Sequence, residues 1–265
     1  MTKPATVAIA PIIGSRSASR SAPREAPPIS RWRLWWFTGY ARRYVARHFH
    51  AVRVAGAAPR TTGPLVVYLN HPGWWDPLIC LVLARHFFPQ RRHYAPMEAA
   101  QLERYRIFRK LGFFGVEKNT RRGAAQFLRG AEAVLAQPGA VLWVTAQGRF
   151  ADVRERPLRL EAGVTHLARR LSGVEFVPLA LEYPFWGERC PEALARWGEP
   201  VRDSAELEPA LEKTQEALAA AALRRAAGDF QIVLRGSAGV GGFYDGWRRL
   251  RARWRGEEFK QEHEG

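Results

Sequence analysis

Residues 64–88 read PLVVYLNHPGWWDPLICLVLARHFF. The first part, 64–69, is an unbroken apolar run with β-branched and aromatic members, the pattern of a strand buried on both faces. The last part, 77–88, is apolar and long enough for a helix, with Asp76 placed as its N-cap and Pro77 at the first helical position. Between the two lies Asn70-His71-Pro72-Gly73-Trp74-Trp75-Asp76. On one continuous helix the spacing of His71 and Asp76 would put them on roughly opposite faces. Pro72, Gly73 and Pro77 forbid such a helix, so the chain turns and the two side chains can meet at the mouth of the loop. A histidine held by an aspartate has a fixed tautomer and a stabilised imidazolium, which suits a general base taking a proton from a hydroxyl. The segment holds no serine or cysteine, so a reaction here would pass directly to the acceptor. The plainer alternative is that Asp76 only caps its helix and His71 is a polar loop residue.

Outward from this unit the pattern keeps alternating. Downstream it predicts helix over 98–110, a short strand over 113–117 and helix over 122–136, stopped by Gln137-Pro138-Gly139. A strand over 140–145 follows, then helix over 161–171, a strand over 174–182, a long Ala- and Leu-rich helix over 205–227 ended by Gly228, and a last strand over 230–234. Pro178 argues for an edge position or a bulge in its strand. Strands alternating with helices predict a single α/β domain, with a mostly parallel or mixed central sheet flanked by helices.

Upstream, residues 31–50 read RWRLWWFTGYARRYVARHFH. Trp32, Trp35, Trp36, Tyr40 and Tyr44 recur at helical spacing beside Leu34 and Phe37, and Arg31, Arg33, Arg42, Arg43 and Arg47 flank them. An aromatic face edged by arginine is what a helix lying in a membrane surface requires. The alternative is a helix packed on the core with its arginines solvated. Residues 1–30 lack periodicity and are rich in Pro, Ser, Ala and Arg, which reads as a disordered leader or as an over-called start, with Ser30 as a candidate helix cap. The stretch 244–255 again mixes Trp with Arg, as a second membrane contact or a solvated helix end, and 256–265 is a polar tail.

Lys and Arg number 41 against 25 Asp and Glu, a net charge of +16, alongside 10 tryptophans. Such a composition suits an anionic membrane surface or single-stranded nucleic acid and does not choose between them. Cys80 and Cys190 form no Cys-x-x-Cys pair, which reads as buried or incidental thiols in a reducing cytoplasm. His48, His50, His86, His93, His166 and His263 show no ligand spacing, so no metal is expected. No run approaches the ~18 apolar residues that span a bilayer, and the N-terminus carries no clean signal peptide.

Asn70-His71-x-x-x-x-Asp76 resembles the Asn-His-x-x-x-x-Asp signature of the glycerolipid acyltransferase family, which includes the 1-acylglycerol-3-phosphate acyltransferases. Three later blocks are similar to that family's, in its order. Gly112-Phe113-Phe114-Gly115-Val116-Glu117-Lys118 matches the second, with Lys118 where the family usually has Arg. Thr145-Ala146-Gln147-Gly148-Arg149 is similar to the Glu-Gly-Thr-Arg block, with Gln147 for Glu, no Thr, and Arg149 directly after Gly148. Val177-Pro178-Leu179-Ala180 fits the fourth. The resemblance implies a glycerol-phosphate-acyltransferase-like domain over 51–255, with 31–50 as an amphipathic membrane-surface helix.

It also implies a chemistry. His71 would deprotonate an acceptor hydroxyl that attacks the thioester of acyl-CoA or acyl-carrier protein, Asp76 would orient His71, and neither metal nor cofactor would take part. Asn70, Lys118, Gln147, Gly148 and Arg149 would line the substrate, with Lys118 and Arg149 on phosphate and Gly148 letting backbone amides approach. Lys is a point charge and not a planar fork, and Gln147 cannot act as a carboxylate. The acceptor therefore ranges from a lysophospholipid to a non-glycerophosphate lipid, a glycolipid or hydroxylated isoprenoid, and a catalytically weakened membrane scaffold is the non-enzymatic alternative. The expectation is a peripheral enzyme of phospholipid biosynthesis on the cytoplasmic face of the cell membrane, drawn to anionic lipid. A nucleic-acid module would explain the charge but not four ordered blocks, so no nucleic acid is expected.

Overall fold

The computed structural model describes residues 25–237. Its elements run α1 (Arg31–His48), β1 (Ala51–Ala55), β2 (Leu65–Leu69), α2 (Asp76–Phe87), β3 (Arg92–Glu98), α3 (Ala99–Arg104), a 3-10 turn (Arg106–Lys110), β4 (Phe113–Val116), α4 (Arg121–Leu135), β5 (Ala140–Thr145), α5 (Ala162–Arg170), β6 (Glu175–Glu182), β7 (Ala193–Trp197), α6 (Leu207–Leu223), a 3-10 turn (Ala227–Asp229) and β8 (Gln231–Arg235). The strands form one mixed sheet of eight in the order β4-β3-β5-β2-β6-β7-β1-β8. From β4 to β6 all neighbours are parallel, whereas β7 and β8 run antiparallel to β6 and β1.

The apolar run of β2 is central because both of its faces are covered. Leu65, Val67 and Leu69 point into the layer of α1 and α2, with Val45, Ile79 and Leu83. Val66 and Tyr68 point the other way, into the layer of α4, α5 and α6, with Phe127, Leu167 and Leu211. Each buried Val, Leu or Ile stabilises the fold by about 1.5–3 kcal/mol, and the strict alternation lets one strand serve two cores. Tyr68 is tolerated there because its hydroxyl donates to the Leu207 carbonyl at 3.1 Å.

Helix α1 buries Thr38, Ala41 and Val45 on its inner face, packs Phe37 and Tyr44 against the core, and presents Trp32, Trp35, Trp36 and Tyr40 outward. Trp35 is 71% and Trp36 57% exposed. The helix is therefore packed on the core along one side and aromatic along the other.

Several expectations need correction. Residues 25–30, assigned to the leader, are tied down: Ile29 bridges Leu111, and the Ser30 N–H donates to the Lys110 carbonyl at 2.8 Å. Residues 1–24 and the stretch 244–255 lie outside the described residues. Ser30 precedes α1 without a side-chain cap, and α2 begins at Asp76 itself, whose carboxylate turns away from capping. The predicted helix 98–110 is broken into α3 and a 3-10 turn, and β1, β3 and β7 were not anticipated.

Pro178 lies inside the sheet between β2 and β7, not at an edge. Its carbonyl accepts from the Gly198 N–H at 2.9 Å, so its ring nitrogen faces the same side, beyond the last β6–β7 rung at Leu179 and Trp197. The missing N–H interrupts no ladder there. Gly198 is needed beside it, since a Cβ would stand 2.7 Å from Pro178 Cγ.

His93 on β3 is a structural histidine. Its Nε2–H donates to the Phe88 carbonyl at 3.0 Å and its Nδ1 accepts from Trp143 Nε1–H at 3.1 Å. Protonation would set two donors against each other, and burial holds the pKa down at about 4 against the usual 6.5. The unfolded chain therefore binds a proton that the folded one refuses between those values, so stability is lost as pH falls from 6.5 towards 4 and this contribution levels off below. The expected loss is about 3 kcal/mol in urea unfolding. His93→Gln, whose amide can donate from near the Nε2 position and does not titrate, is expected to flatten that part of the pH dependence.

Candidate active site

The C-terminal ends of three adjacent parallel strands, β5, β2 and β6, converge at the middle of one sheet edge. Open α/β sheets place their ligands along such an edge. Each strand there delivers one loop. His71 follows β2, Gln147 follows β5 and Tyr183 follows β6.

His71 and Asp76 meet. Nδ1–H of His71 donates to Oδ2 of Asp76 at 2.5 Å. Asp76 is fully buried, so its charge needs further donors. They are the Gly73 N–H at 3.3 Å on the same oxygen and the Tyr183 hydroxyl at 2.5 Å on Oδ1. At the first turn of α2, the helix dipole also favours the carboxylate. With Nδ1 engaged, Nε2 is the nitrogen left to take a proton, and the imidazole remains partly exposed. The Phe150 ring, itself exposed, lies 4.3 Å from the imidazole.

The loop after β5 grips the backbone of His71 from both sides. Gln147 is buried, and its Oε1 accepts from the His71 N–H at 3.0 Å. The Ala151 N–H donates to the His71 carbonyl at 3.0 Å, and the Ala146 N–H to the Leu69 carbonyl at 2.8 Å. Gly148 makes the turn at φ +64°, and a Cβ there would stand 2.6 Å from Glu161 Cγ.

The other expected ligand-binding residues are placed differently. Asn70 is buried and aimed into the sheet. Its Nδ2 donates to the Leu181 carbonyl at 2.9 Å and its Oδ1 accepts from the Leu181 N–H at 2.8 Å. The side chain thus prolongs the β2–β6 pairing by one rung, with its amide oxygen and nitrogen both engaged. Arg149 does not stand free. Its guanidinium forks onto both carboxylate oxygens of Glu155, Nη1 to Oε2 at 3.0 Å, and the pairing holds the Glu155 carboxyl below its usual range. Lys118 is exposed after β4, three strands from β2, or about 14 Å along the edge at ~4.8 Å per strand. Trp74 and Trp75 divide: Trp74 is exposed, while Trp75 packs 4.9 Å from Phe49 and 5.6 Å from Tyr44.

Tyr183 belongs to the stretch 182–186, which leaves the fourth block and which the sequence sets beside the site without fixing a role; Phe150 was not singled out at all. The usable signal for Tyr183 was positional, as the first residue beyond a strand neighbouring the one that ends at Asn70 and His71. No group of three or more potential metal ligands occurs among the described residues.

A family model described as Acyltransferase matches residues 51–182. The match runs from β1 to the end of β6 and contains His71, Asp76 and the loop after β5. No curated protein matches the sequence.

The left-handed turn at Gly148 supports Gln147 and therefore His71. Gly148→Ala is expected to destabilise the protein by about 1–2 kcal/mol in denaturant unfolding, because a Cβ is strained at this φ. Gly148→Asn is expected to relieve the backbone strain but not the contact with Glu161, because its Cβ stands in the same place.

Proposed function

Through residues 51–182 the chain belongs to the glycerolipid acyltransferase family, and from that premise we propose that it transfers a fatty acyl group from acyl-CoA or acyl-carrier protein to a hydroxyl of a lysophospholipid or related lipid. That the protein is an acyltransferase follows from the family. The observation that carries the mechanism is the short His71–Asp76 bond on a fully buried carboxylate.

In this reading Nε2 of His71 takes the proton of the acceptor hydroxyl as its oxygen attacks the thioester carbonyl. Asp76 stabilises the imidazolium that forms. The C–S bond then breaks, and the leaving thiolate recovers the proton from Nε2. Gln147 and the Ala151 N–H hold the His71 backbone while the charge moves. The exposed Phe150 ring flanks the imidazole and offers an apolar approach for an acyl chain, and Trp74 stands exposed in the same loop beside Tyr44.

A second reading of the acceptor, a non-glycerophosphate lipid such as a glycolipid or hydroxylated isoprenoid, is supported by the third block. Arg149 is engaged by Glu155, Gln147 is engaged by His71, and Lys118 stands far along the edge. A phosphate close to the reacting hydroxyl would have to displace one of these partners.

The enzyme is proposed to work on the cytoplasmic membrane face as a peripheral protein. No described helix is long and apolar enough to cross a membrane. Arg53, Arg122, Arg154, Arg156 and Arg170 are all in ion pairs. Helix α1, by contrast, has no acidic residue, and its Arg42, Arg43 and Arg47 make no ion pair among the described residues. Arg43 and Arg47 border a groove of ≈ 150 Å³ with Trp36, Tyr40 and Tyr44. Like charges one turn apart repel, and an anionic lipid surface relieves that repulsion while the rings settle at headgroup depth.

Two outcomes are expected. Purified protein should release thiol from a donor only when a lipid acceptor is present, and His71→Ala should lower the rate by roughly 10²–10⁴-fold; release that persists in the variant overturns the assignment of His71, and the mass of the product names the acceptor class. In flotation with phosphatidylglycerol vesicles, the double change Arg43→Gln and Arg47→Gln should weaken binding roughly 10–30-fold, at about 1 kcal/mol per arginine. The same change should have little effect on phosphatidylcholine vesicles, and equal loss on both would remove the electrostatic role.

A further inference from the structure

We infer that Tyr183 is the third member of the site, a positioning residue that fixes the carboxylate plane of Asp76 and moderates its hold on the His71 proton. The inference rests on the proposed roles of His71 and Asp76 and adds a residue that no block of the family resemblance contains.

The terminal torsion of an aspartate is broad, so one hydrogen bond does not fix the direction of the second oxygen. Asp76 needs both oxygens anchored if Oδ2 is to stay in line with Nδ1 of His71. Tyr183 supplies the second anchor, 2.5 Å from Oδ1, while His71 holds Oδ2 at the same distance. The phenol is itself fixed. It follows the last residue of β6, its ring lies 5.5 Å from Phe49, and a Cβ added at Gly73 would meet its edge at 4.0 Å. Phe49 in turn packs on Trp75, so the tyrosine is held by the same aromatic layer that holds the loop.

The direction of donation is settled. Burial first, and then the Asp76 charge, hold the Tyr183 hydroxyl well above the usual tyrosine range, so it remains a donor at working pH. A donor on Oδ1 draws negative charge away from Oδ2 and weakens the stabilisation of a proton on His71. The remaining titratable groups on the surrounding elements are few. Cys80 lies one turn further along α2, its thiol pushed up by burial and by Asp76. His48, at the end of α1, has its ring 5.3 Å from Trp75. Arg149 and Glu155, on the loop after β5, are paired with each other. Glu182, beside Tyr183, is raised by burial. None of these donates to Asp76 in the described structure, so the hydroxyl can be changed alone.

The test uses Tyr183→Phe, which keeps the ring, beside a protein with 3,5-difluorotyrosine placed at position 183 by stop-codon suppression. The fluorinated phenol keeps the packing and donates more strongly. The His71 imidazole titration is followed by NMR in the ligand-free enzyme, assigned by its loss in His71→Ala. It should move to higher pH by about 0.5–1 unit in Tyr183→Phe and to lower pH in the fluorinated protein. The acidic limb of kcat/KM should move the same way, with kcat lowered several-fold in Tyr183→Phe and KM little changed. A titration that stays in place in both proteins overturns the inference, as does a lowered unfolding midpoint with no change in titration, since a packing role alone would give that. If Tyr183→Phe does not fold, the fluorinated protein decides by itself. Wild-type protein with no acyl transfer would count against the proposed function, while the NMR titration still decides the role of Tyr183.

Discussion

A single buried charge organises this site. Asp76 has no contact with water, and an ionised carboxylate in such a place costs several kcal/mol unless donors surround it. The donors come from separate parts of the chain: His71 and Gly73 from the loop after β2, and Tyr183 from the end of β6. They can converge only if β2 and β6 are neighbours and parallel, with both ends at the same edge. Asn70 extends that pairing past the ladder by mimicking a backbone rung with Leu181. The sheet is therefore the device that brings the third donor within reach of the carboxylate.

The same logic governs the imidazole. A histidine in a loop of Pro and Gly would be free to shift, but the loop after β5 binds its N–H through Gln147 and its carbonyl through Ala151. A glutamate at 147 could accept the same bond while adding a negative charge beside Asp76. Glutamine keeps the bond without that charge. The departure from the family pattern at this position is thus compatible with an intact His71–Asp76 pair, and it counts against reading the substitution as decay of the site.

Much of this was legible in the sequence where local physics decides. Pro72, Gly73 and Pro77 exclude a helix through the loop, which is enough to bring His71 and Asp76 together, and the apolar runs at 64–69 and 140–145 declare strands buried on two faces. What stayed hidden was decided by partners distant in sequence. Arg92–Glu98 carries charges at both ends, and Ala51–Ala55 and Ala193–Trp197 are short, so their strand character comes from the neighbours that pair with them. Pro178 misleads because the rule against interior proline supposes a ladder on each side of the residue, and here the ladder stops one rung earlier. Asn70 looked like a ligand-binding residue because its partner, Leu181, is 111 positions away.

The distribution of charge then separates two tasks that the composition had merged. Around the reacting atoms the carboxylates are engaged: Asp76 accepts from His71, Gly73 and Tyr183, and Glu155 is paired with Arg149. The unmatched arginines of the described chain include those of α1, on the side that also carries exposed Trp32, Trp35 and Trp36. Tyr44 joins the two regions, 5.8 Å from Tyr40 on one side and 6.3 Å from Trp74 on the other, so an aromatic path runs from the helix surface to the loop that holds His71. Arg43 and Arg47 border that path beside Tyr40 and Tyr44, so charge lines its outer part and rings its inner part. On the proposed function, the arginines of α1 would serve attraction to a lipid surface, while the chemistry would rest on the buried Asp76 charge and the three donors that hold it.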